Sequence, residues 1–171
     1  MIVRQQQAED FEPIRQVYAE AFRRPDNPGS VPPEVGLFEA LWEAGDAIPE
    51  LSFTALRDGR MVGHVTASKA TVGAEPVVAV GPIGVLPDHQ NTGIGSALMH
   101  AHLAAADAAE VPLIILLGAP AYYRRFGFRP ATELGVIPPE PEWKDAFQAR
   151  PLSAYTDSLT GRFQYAPAFT S

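Results

Sequence analysis

Gln90, Gly93 and Gly95 form the pattern Gln90-x-x-Gly93-x-Gly95, between an apolar run at 77–85 and an alanine-rich segment that starts near Ser96. Glycines there let the backbone turn tightly and bring its amides close to a ligand. The first amides of a helix have no partner within it, and the aligned peptide dipoles add partial positive charge at that end. The chemistry open to such a turn is the binding of an anion, above all a phosphate. The same glycines would also serve a plain strand-to-helix packing turn. Their place just after a strand and just before a helix is the context that a phosphate motif requires.

Spacing separates the phosphate-binding alternatives. A dinucleotide fingerprint needs a third glycine three residues after the second, and an acid at the end of the next strand. Leu98 stands at the first position, and the run Leu113–Leu117 ends in Gly118. A Walker loop needs Lys followed by Ser or Thr after its glycines, and this loop has neither. The preceding strand carries Gly81, Pro82 and Gly84. Proline cannot donate to a ladder, and internal glycine marks a bulge or a close backbone approach. If pairing stops there, backbone groups are left for an extended ligand with amides of its own, such as pantetheine. A pyrophosphate beside a pantetheine arm describes coenzyme A.

Hydrophobic periodicity supplies the elements that must hold this loop. Residues 2–4 read as a short strand. Phe11, Ile14, Tyr18, Ala21 and Phe22 recur at helical spacing, which predicts a helix over 9–22. After a turn-rich break at 24–29, Pro32 and Pro33 lead a second helix through Leu37, Phe38, Leu41 and Trp42. Proline suits that first turn. Residues 51–57 alternate, Asp58-Gly59 signals a hairpin, and 61–71 supply the return strand. A loop at 72–76 and the strand 77–85 follow, then a helix over about 94–109 with Leu98, Met99, His102 and Leu103 spaced for burial. Leu113–Leu117 reads as a strand buried on both faces. Residues 120–126 read as a short helix and Phe128 onward as a strand; prolines 138, 139, 141 and 151 break up the rest, leaving short strands near 146–150 and 162–166. The order β-α-α-β-β-β-α-β-α-β predicts a mixed α/β (α+β) layer structure.

A length of 171 residues fits a single domain, 1–171, with its own core. A hydrophobic content of 46% and a charged content of 19% are those of a globular chain. The net charge of -7 argues against nucleic acid as a partner. With no cysteine there is no disulfide framework, no thiolate metal site and no acyl-cysteine intermediate. His100 and His102 are two apart on a helix and point away from each other, so no metal site is expected. The start turns polar at Arg4 and lacks the apolar core of a signal peptide. No apolar run approaches the roughly 20 residues of a membrane span. A cytoplasmic protein without a membrane partner is expected.

Downstream, Tyr123-Arg124-Arg125-Phe126-Gly127-Phe128 follows the pattern Tyr-x-x-x-Gly-Phe, and the chain closes with Gly161-Arg162-Phe163-Gln164-Tyr165 and Phe169. With Gly81–Pro87 and the Gln90–Gly95 loop, these stretches resemble the GNAT superfamily of N-acetyltransferases, and within it the YhbS-type bacterial group. The resemblance implies a mixed, mostly antiparallel sheet with a splayed central strand pair and helices on both faces. It implies acetyl-CoA as cosubstrate, with no metal. Backbone groups of Ile83, Gly84 and Val85 would meet pantetheine; Gln90, Asn91, Thr92, Gly93, Ile94, Gly95 and Ser96 would surround the pyrophosphate. Two positions depart from the family pattern, which often has glycine at 91 and a basic residue at 92. Asn91 tolerates the left-handed turn, whereas Thr92 removes a charged contact and leaves the anion to backbone amides.

Acyl transfer from a thioester to an amine asks for a neutral amine, a donor for the oxyanion and a proton for the departing thiolate. A tyrosine, with a pKa of about 10, can deliver that proton. The resemblance puts Tyr123 in this catalytic role and an oxyanion-binding amide near Val85; the plain alternative is that Tyr122 and Tyr123 simply pack. The general base stays open among Glu75, His64 and Glu133. His89, Arg124 and Arg125 are either phosphate contacts or solvated charges. The expected activity is direct transfer of acetyl to a primary amine of a small molecule or peptide. The alternatives are a transferase of another acyl group and a non-catalytic acyl-CoA-binding or regulatory module. The resemblance also allows a homodimer.

Overall fold

Asp58 and Gly59 both take the left-handed backbone conformation, at φ 52° and 76°. That is the two-residue turn whose twist matches a β-hairpin, and it joins β2 (Phe53–Arg57) to β3 (Arg60–Val72). The computed structural model describes residues 1–170. Before the hairpin come β1 (Ile2–Gln5), α1 (Phe11–Ala21) and α2 (Pro33–Ala44). Pro33 opens α2 at its first position, and Gly45 closes it at φ 71°. After β3 come β4 (Glu75–Val85), α3 (Ile94–Ala108), β5 (Leu113–Leu117) and the single turn α4 (Pro120–Tyr123). The chain ends through β6 (Arg129–Pro130), β7 (Val136–Ile137), β8 (Phe147–Pro151), β9 (Gly161–Tyr165) and α5 (Pro167–Thr170).

The main sheet runs β1-β2-β3-β4-β5-β8-β6, and β9 pairs with the far end of β3 and with β7. Every neighbour in the main order is antiparallel except β4 and β5. Strand alternation puts helices on both faces. Gly63 faces α3, where a Cβ would meet Ile94 at 3.0 Å and Leu98 at 3.1 Å. The next residue, His64, points to α1 and hydrogen-bonds Tyr18. The fold is therefore the expected mixed, mostly antiparallel sheet with helices on either side.

Two apolar clusters lie across the sheet. On β5, Ile114 and Leu116 join the larger one with Leu98, Met99 and Leu103 of α3. Leu113 and Ile115 join the smaller one with Phe147, Leu159 and Phe163. β5 is thus buried on both faces up to Leu116, while Leu117 is 44% exposed. A fully buried side chain of this size contributes roughly 1.5–3 kcal/mol, so the C-terminal segment is a substantial part of the fold. Three expected elements differ. The loop at 72–76 shrinks to a tight turn at Gly73, φ 58°, because β3 and β4 stay paired up to Val72↔Glu75. The strand from Phe128 is only two residues, because Pro130 and the 3-10 turn Ala131–Leu134 end it. The helix at 120–126 becomes one α turn followed by the 3-10 turn Arg124–Phe126.

Candidate active site

β4 and β5 pair only at Val78↔Ile114 and Ala79↔Ile115. Beyond them Leu116 and Leu117 stay with Gln148 and Phe147 of β8, while β4 follows β3. Gly81, at φ 136°, and Pro82 interrupt the ladder there, and the β3–β4 register shifts between Val65 and Ala67. The central pair therefore splays. The amide of Leu86 bonds Val62 O, toward β3. By alternation Gly84 directs its backbone the same way, and Ile83 and Val85 present theirs to the open side. Gly84 also lets α1 approach, since a Cβ there would meet Tyr18 at 3.0 Å and Ala21 and Phe22 at 3.2 Å.

At the end of β4 a cavity of about 520 Å³ is lined by Ile83, Val85, His89, Gln90, Asn91, Gly93, Gly95, Ser96, Tyr122 and Arg125. Asn91 adopts φ 61° and Gly93 φ 87°, which turn the chain into α3. The first amide bond of the helix runs from Ala97 to Gly93 O at 3.0 Å, so the amides of Ile94, Gly95 and Ser96 form the unpartnered first turn. The Gln90 side chain donates to Val85 O at 3.1 Å and the Thr92 hydroxyl to His89 O, so both hold the loop in shape. Of the cofactor-site candidates, Ile83, Val85, Gln90, Asn91, Gly93, Gly95 and Ser96 line this cavity. Gly84, Thr92 and Ile94 do not; the Ile94 side chain is buried beneath the loop. Arg125 brings a guanidinium to the cavity, 4.6 Å from the Tyr122 ring centre and bonded through Nε to Tyr122 O at 3.0 Å. Arg124 stays outside.

A second cavity of about 400 Å³ fills the splay itself. Val80–Ile83 of β4, Leu116 and Leu117 of β5, and Tyr123 of α4 line it, and it shares Ile83 with the first. Tyr122 faces one cavity and Tyr123 the other, their rings edge to face with centroids 4.9 Å apart. Burial, and then the neighbouring Tyr122, push the Tyr123 phenol above the usual tyrosine value, so it stays protonated at neutral pH. Gly118 makes room for that ring, since a Cβ there would lie 2.5 Å from Tyr123 Cε2.

None of the three general-base candidates reaches this cavity. Glu75 is exposed beside the β3–β4 turn, and Glu133 is exposed in the 3-10 turn after β6. His64 is fully buried on β3 beneath α1, with Nδ1 at 2.7 Å from the Tyr18 hydroxyl and Nε2 at 2.9 Å from Gln6 Oε1. Burial pushes it down to about 3, so it is neutral and structural. Tyr18 also donates to Pro82 O at 2.8 Å, which braces the interrupted strand from behind. The carboxylate that does line the cavity is Glu34, half-buried in the first turn of α2. In sequence it reads as an ordinary acidic residue at a helix N-terminus, which the dipole alone would explain. Among the described residues no cluster of three metal-ligating side chains occurs, and no helix is long and apolar enough to cross a membrane.

Comparison with known proteins places this geometry. The sequence profile of the family described as "Acetyltransferase (GNAT) domain" matches residues 2–131. The uncharacterized N-acetyltransferase YjhQ of Escherichia coli (strain K12) is 30% identical over 165 residues, 92% of this chain and 87% of that protein. The GNAT family N-acetyltransferase YhbS of Escherichia coli, solved in complex with CoA, superposes with a TM-score of 0.86 at 25% identity, covering 99% of this chain and 92% of that one. A GNAT family acetyltransferase of Brucella melitensis, solved with acetyl-CoA, superposes with a TM-score of 0.78 at 30% identity, covering 98% of this chain and 97% of that one. On profile, sequence and fold together, the chain belongs to the GNAT acetyltransferase family.

Proposed function

We propose that this protein is an acetyl-CoA-dependent N-acetyltransferase that transfers acetyl directly to a primary amine of a small molecule or peptide. The observation that carries the reading is the splayed β4–β5 pair, with the cradle at the start of α3 at one end and Tyr123 inside the cleft. The relatives solved with CoA and acetyl-CoA support the choice of cosubstrate. The residues present fit it. The first-turn amides of α3 and the Arg125 guanidinium offer positive potential to a diphosphate. The Ile83 carbonyl and the Val85 amide, which point away from β3, suit the amides of a pantetheine arm as a strand edge suits an added strand, whereas Val85 O is already held by the Gln90 side chain.

Acetyl-CoA supplies an acyl group already activated as a thioester. On the open side of β4, Ile83, the residue that the cradle and the splay share, offers its amide to the developing charge on the carbonyl oxygen. Tyr123 gives its proton to the departing sulfur as the new carbon–nitrogen bond forms and the carbon–sulfur bond breaks. The proton lost by the amine nitrogen returns through solvent to the tyrosine. The absence of cysteine from the chain fits direct transfer without an acyl-cysteine.

The test is thiol release from acetyl-CoA across a panel of amines, with CoA binding followed by calorimetry. Binding with amine-dependent turnover is the expected result. Binding without turnover on any amine points to a non-catalytic acyl-CoA-binding module, and no binding of CoA overturns the reading.

A further inference from the structure

The cavity in the splay continues outward into a depression between α2 and α5, lined among others by Pro33, Gly36, Ala40 and Phe169. Glu34, Leu37 and Phe169 are common to both spaces, whereas the phosphate cradle shares only Ile83 with the splay. The cleft thus adjoins the α3 loop through Ile83, the space between α2 and α5 through Glu34, Leu37 and Phe169, and, through Tyr165 alone, a third cavity that carries Asp46, Lys69 and Arg162. If the cofactor enters by the first, the second, which shares three lining residues with the splay, is the broader route left for the acceptor.

The chemistry of that route is one-sided. Glu34 is the single charged side chain lining either space, and among the described residues it makes no hydrogen bond or ion pair. Among the described residues, neither space is lined by Lys, Arg or His. The walls are Phe22, Leu37, Leu117 and the parallel stack of Tyr165 on Phe169, with centroids 3.9 Å apart and planes within 4°. Burial pushes the Tyr165 phenol up to about 12, so it adds no charge. A carboxylate together with aromatic faces attracts an ammonium group. An acceptor carboxylate would lie against Glu34 in an apolar space with no cation to receive it, which is strongly unfavourable. The helix dipole explains an acidic residue in the first turn of α2, but it leaves both carboxylate oxygens free for a ligand.

We infer that the acceptor is a hydrophobic primary amine without a carboxylate. Glu34 receives its ammonium group, which gives up one proton to solvent and attacks as the neutral amine, and Phe22, Leu37 and the Tyr165–Phe169 stack hold its apolar body. This assignment rests on the acetyl-transfer reading of the same site.

The matched probes are 2-phenylethylamine and phenylalanine, which differ by one carboxylate, with spermidine as a hydrophilic polycation. At saturating acetyl-CoA, kcat/KM for 2-phenylethylamine is expected to exceed that for phenylalanine by at least about 100-fold, from like-charge exclusion. Glu34→Gln is expected to raise KM for 2-phenylethylamine by about 10-fold or more and to narrow that ratio. KM for acetyl-CoA should not change. Glu43→Gln, at an exposed position of the same helix outside both spaces, removes the same charge and should alter neither value. Equal use of phenylalanine, an unchanged amine KM in Glu34→Gln, or turnover confined to spermidine overturns the assignment and leaves acetyl transfer standing. No turnover on any amine overturns the acetyl-transfer reading and this inference with it.

Discussion

Tyr123 and Gly118 work as a pair. The ring lies where a Cβ on residue 118 would stand, 2.5 Å from Cε2, so a one-carbon change moves the proposed acid without removing it. Tyr123→Phe keeps the ring contacts with Tyr122, Phe126 and Phe128 and deletes only the hydroxyl. Its kcat is expected to fall by about 10²-fold, the usual lower range for a general acid, with KM for acetyl-CoA nearly unchanged. Wild-type turnover in steady-state kinetics on a verified acceptor would falsify the role. Gly118→Ala is expected to lower kcat by displacing the ring. Combined with Tyr123→Phe, its effect should not add, because both changes act on one group. The raised phenol value carries a pH signature of its own. Tyr123 stays protonated through the ordinary tyrosine range, so the loss of kcat attributable to its ionisation should lie above about pH 10 in a pH–rate profile.

At the scale of elements, the loop between β4 and α3 does two jobs with separate parts. Its side chains at Gln90 and Thr92 tie the turn together, and Asn91, Gly93, Gly95 and Ser96 are left lining the cavity. The positive charge that the sequence lacks at position 92 comes from Arg125, one turn beyond α4. The conformation of Asn91, φ 61°, is the sensitive point. A β-branched residue held in the left-handed region costs roughly 1–2 kcal/mol. Asn91→Val is therefore expected to weaken CoA binding by about 5- to 30-fold through a distorted cradle, whereas Asn91→Gly should bind as the parent does. Isothermal titration of CoA into each variant distinguishes them. Equal affinity for Asn91→Val and the parent would show that the turn does not shape the cradle.

At the scale of the whole molecule, buried histidines make the fold sensitive to acid. His64 is held down to about 3 by burial, and His102 is also held below its ordinary value by burial, with Nδ1 2.8 Å from Leu51 O. In the unfolded chain both titrate near 6.5. For His64 the unfolded state therefore binds, between about pH 6.5 and 3, a proton that the folded state refuses, and His102 acts in the same direction from 6.5 down to its own lowered value, so stability falls as pH falls. Each such proton contributes a slope of about 1.4 kcal/mol per pH unit. Asp10 acts at the lower end. Its burial works upward, but the Arg4 pair and the Gln7 amide together hold it below the usual carboxylate range. Its stabilisation is complete above the unfolded carboxylate value, near pH 4, and is lost as pH drops through the folded one. Thermal melts should show Tm declining below about pH 6.5, and His64→Gln should flatten that decline by one proton. A Tm independent of pH from 6.5 to 4 would contradict the buried, neutral state of His64.

The sequence by itself determined whatever neighbouring residues settle among themselves. The hairpin at Asp58-Gly59, the proline start of α2 and the strand–loop–helix at 77–108 follow from backbone preferences and periodicity that act over a few residues. The interruption at Gly81-Pro82 was legible for the same reason, since proline carries its missing donor into any fold. Tertiary structure alone decided which side chains meet across the cleft. Glu34 faces Tyr123, Tyr165 and Phe169 because β9 pairs with β3 and carries α5 against α2. His64 is a structural residue because α1 covers that face of β3. No local pattern encodes either fact. A cavity is bounded by segments more than a hundred residues apart, and its lining depends on how whole elements pack rather than on what any one of them prefers.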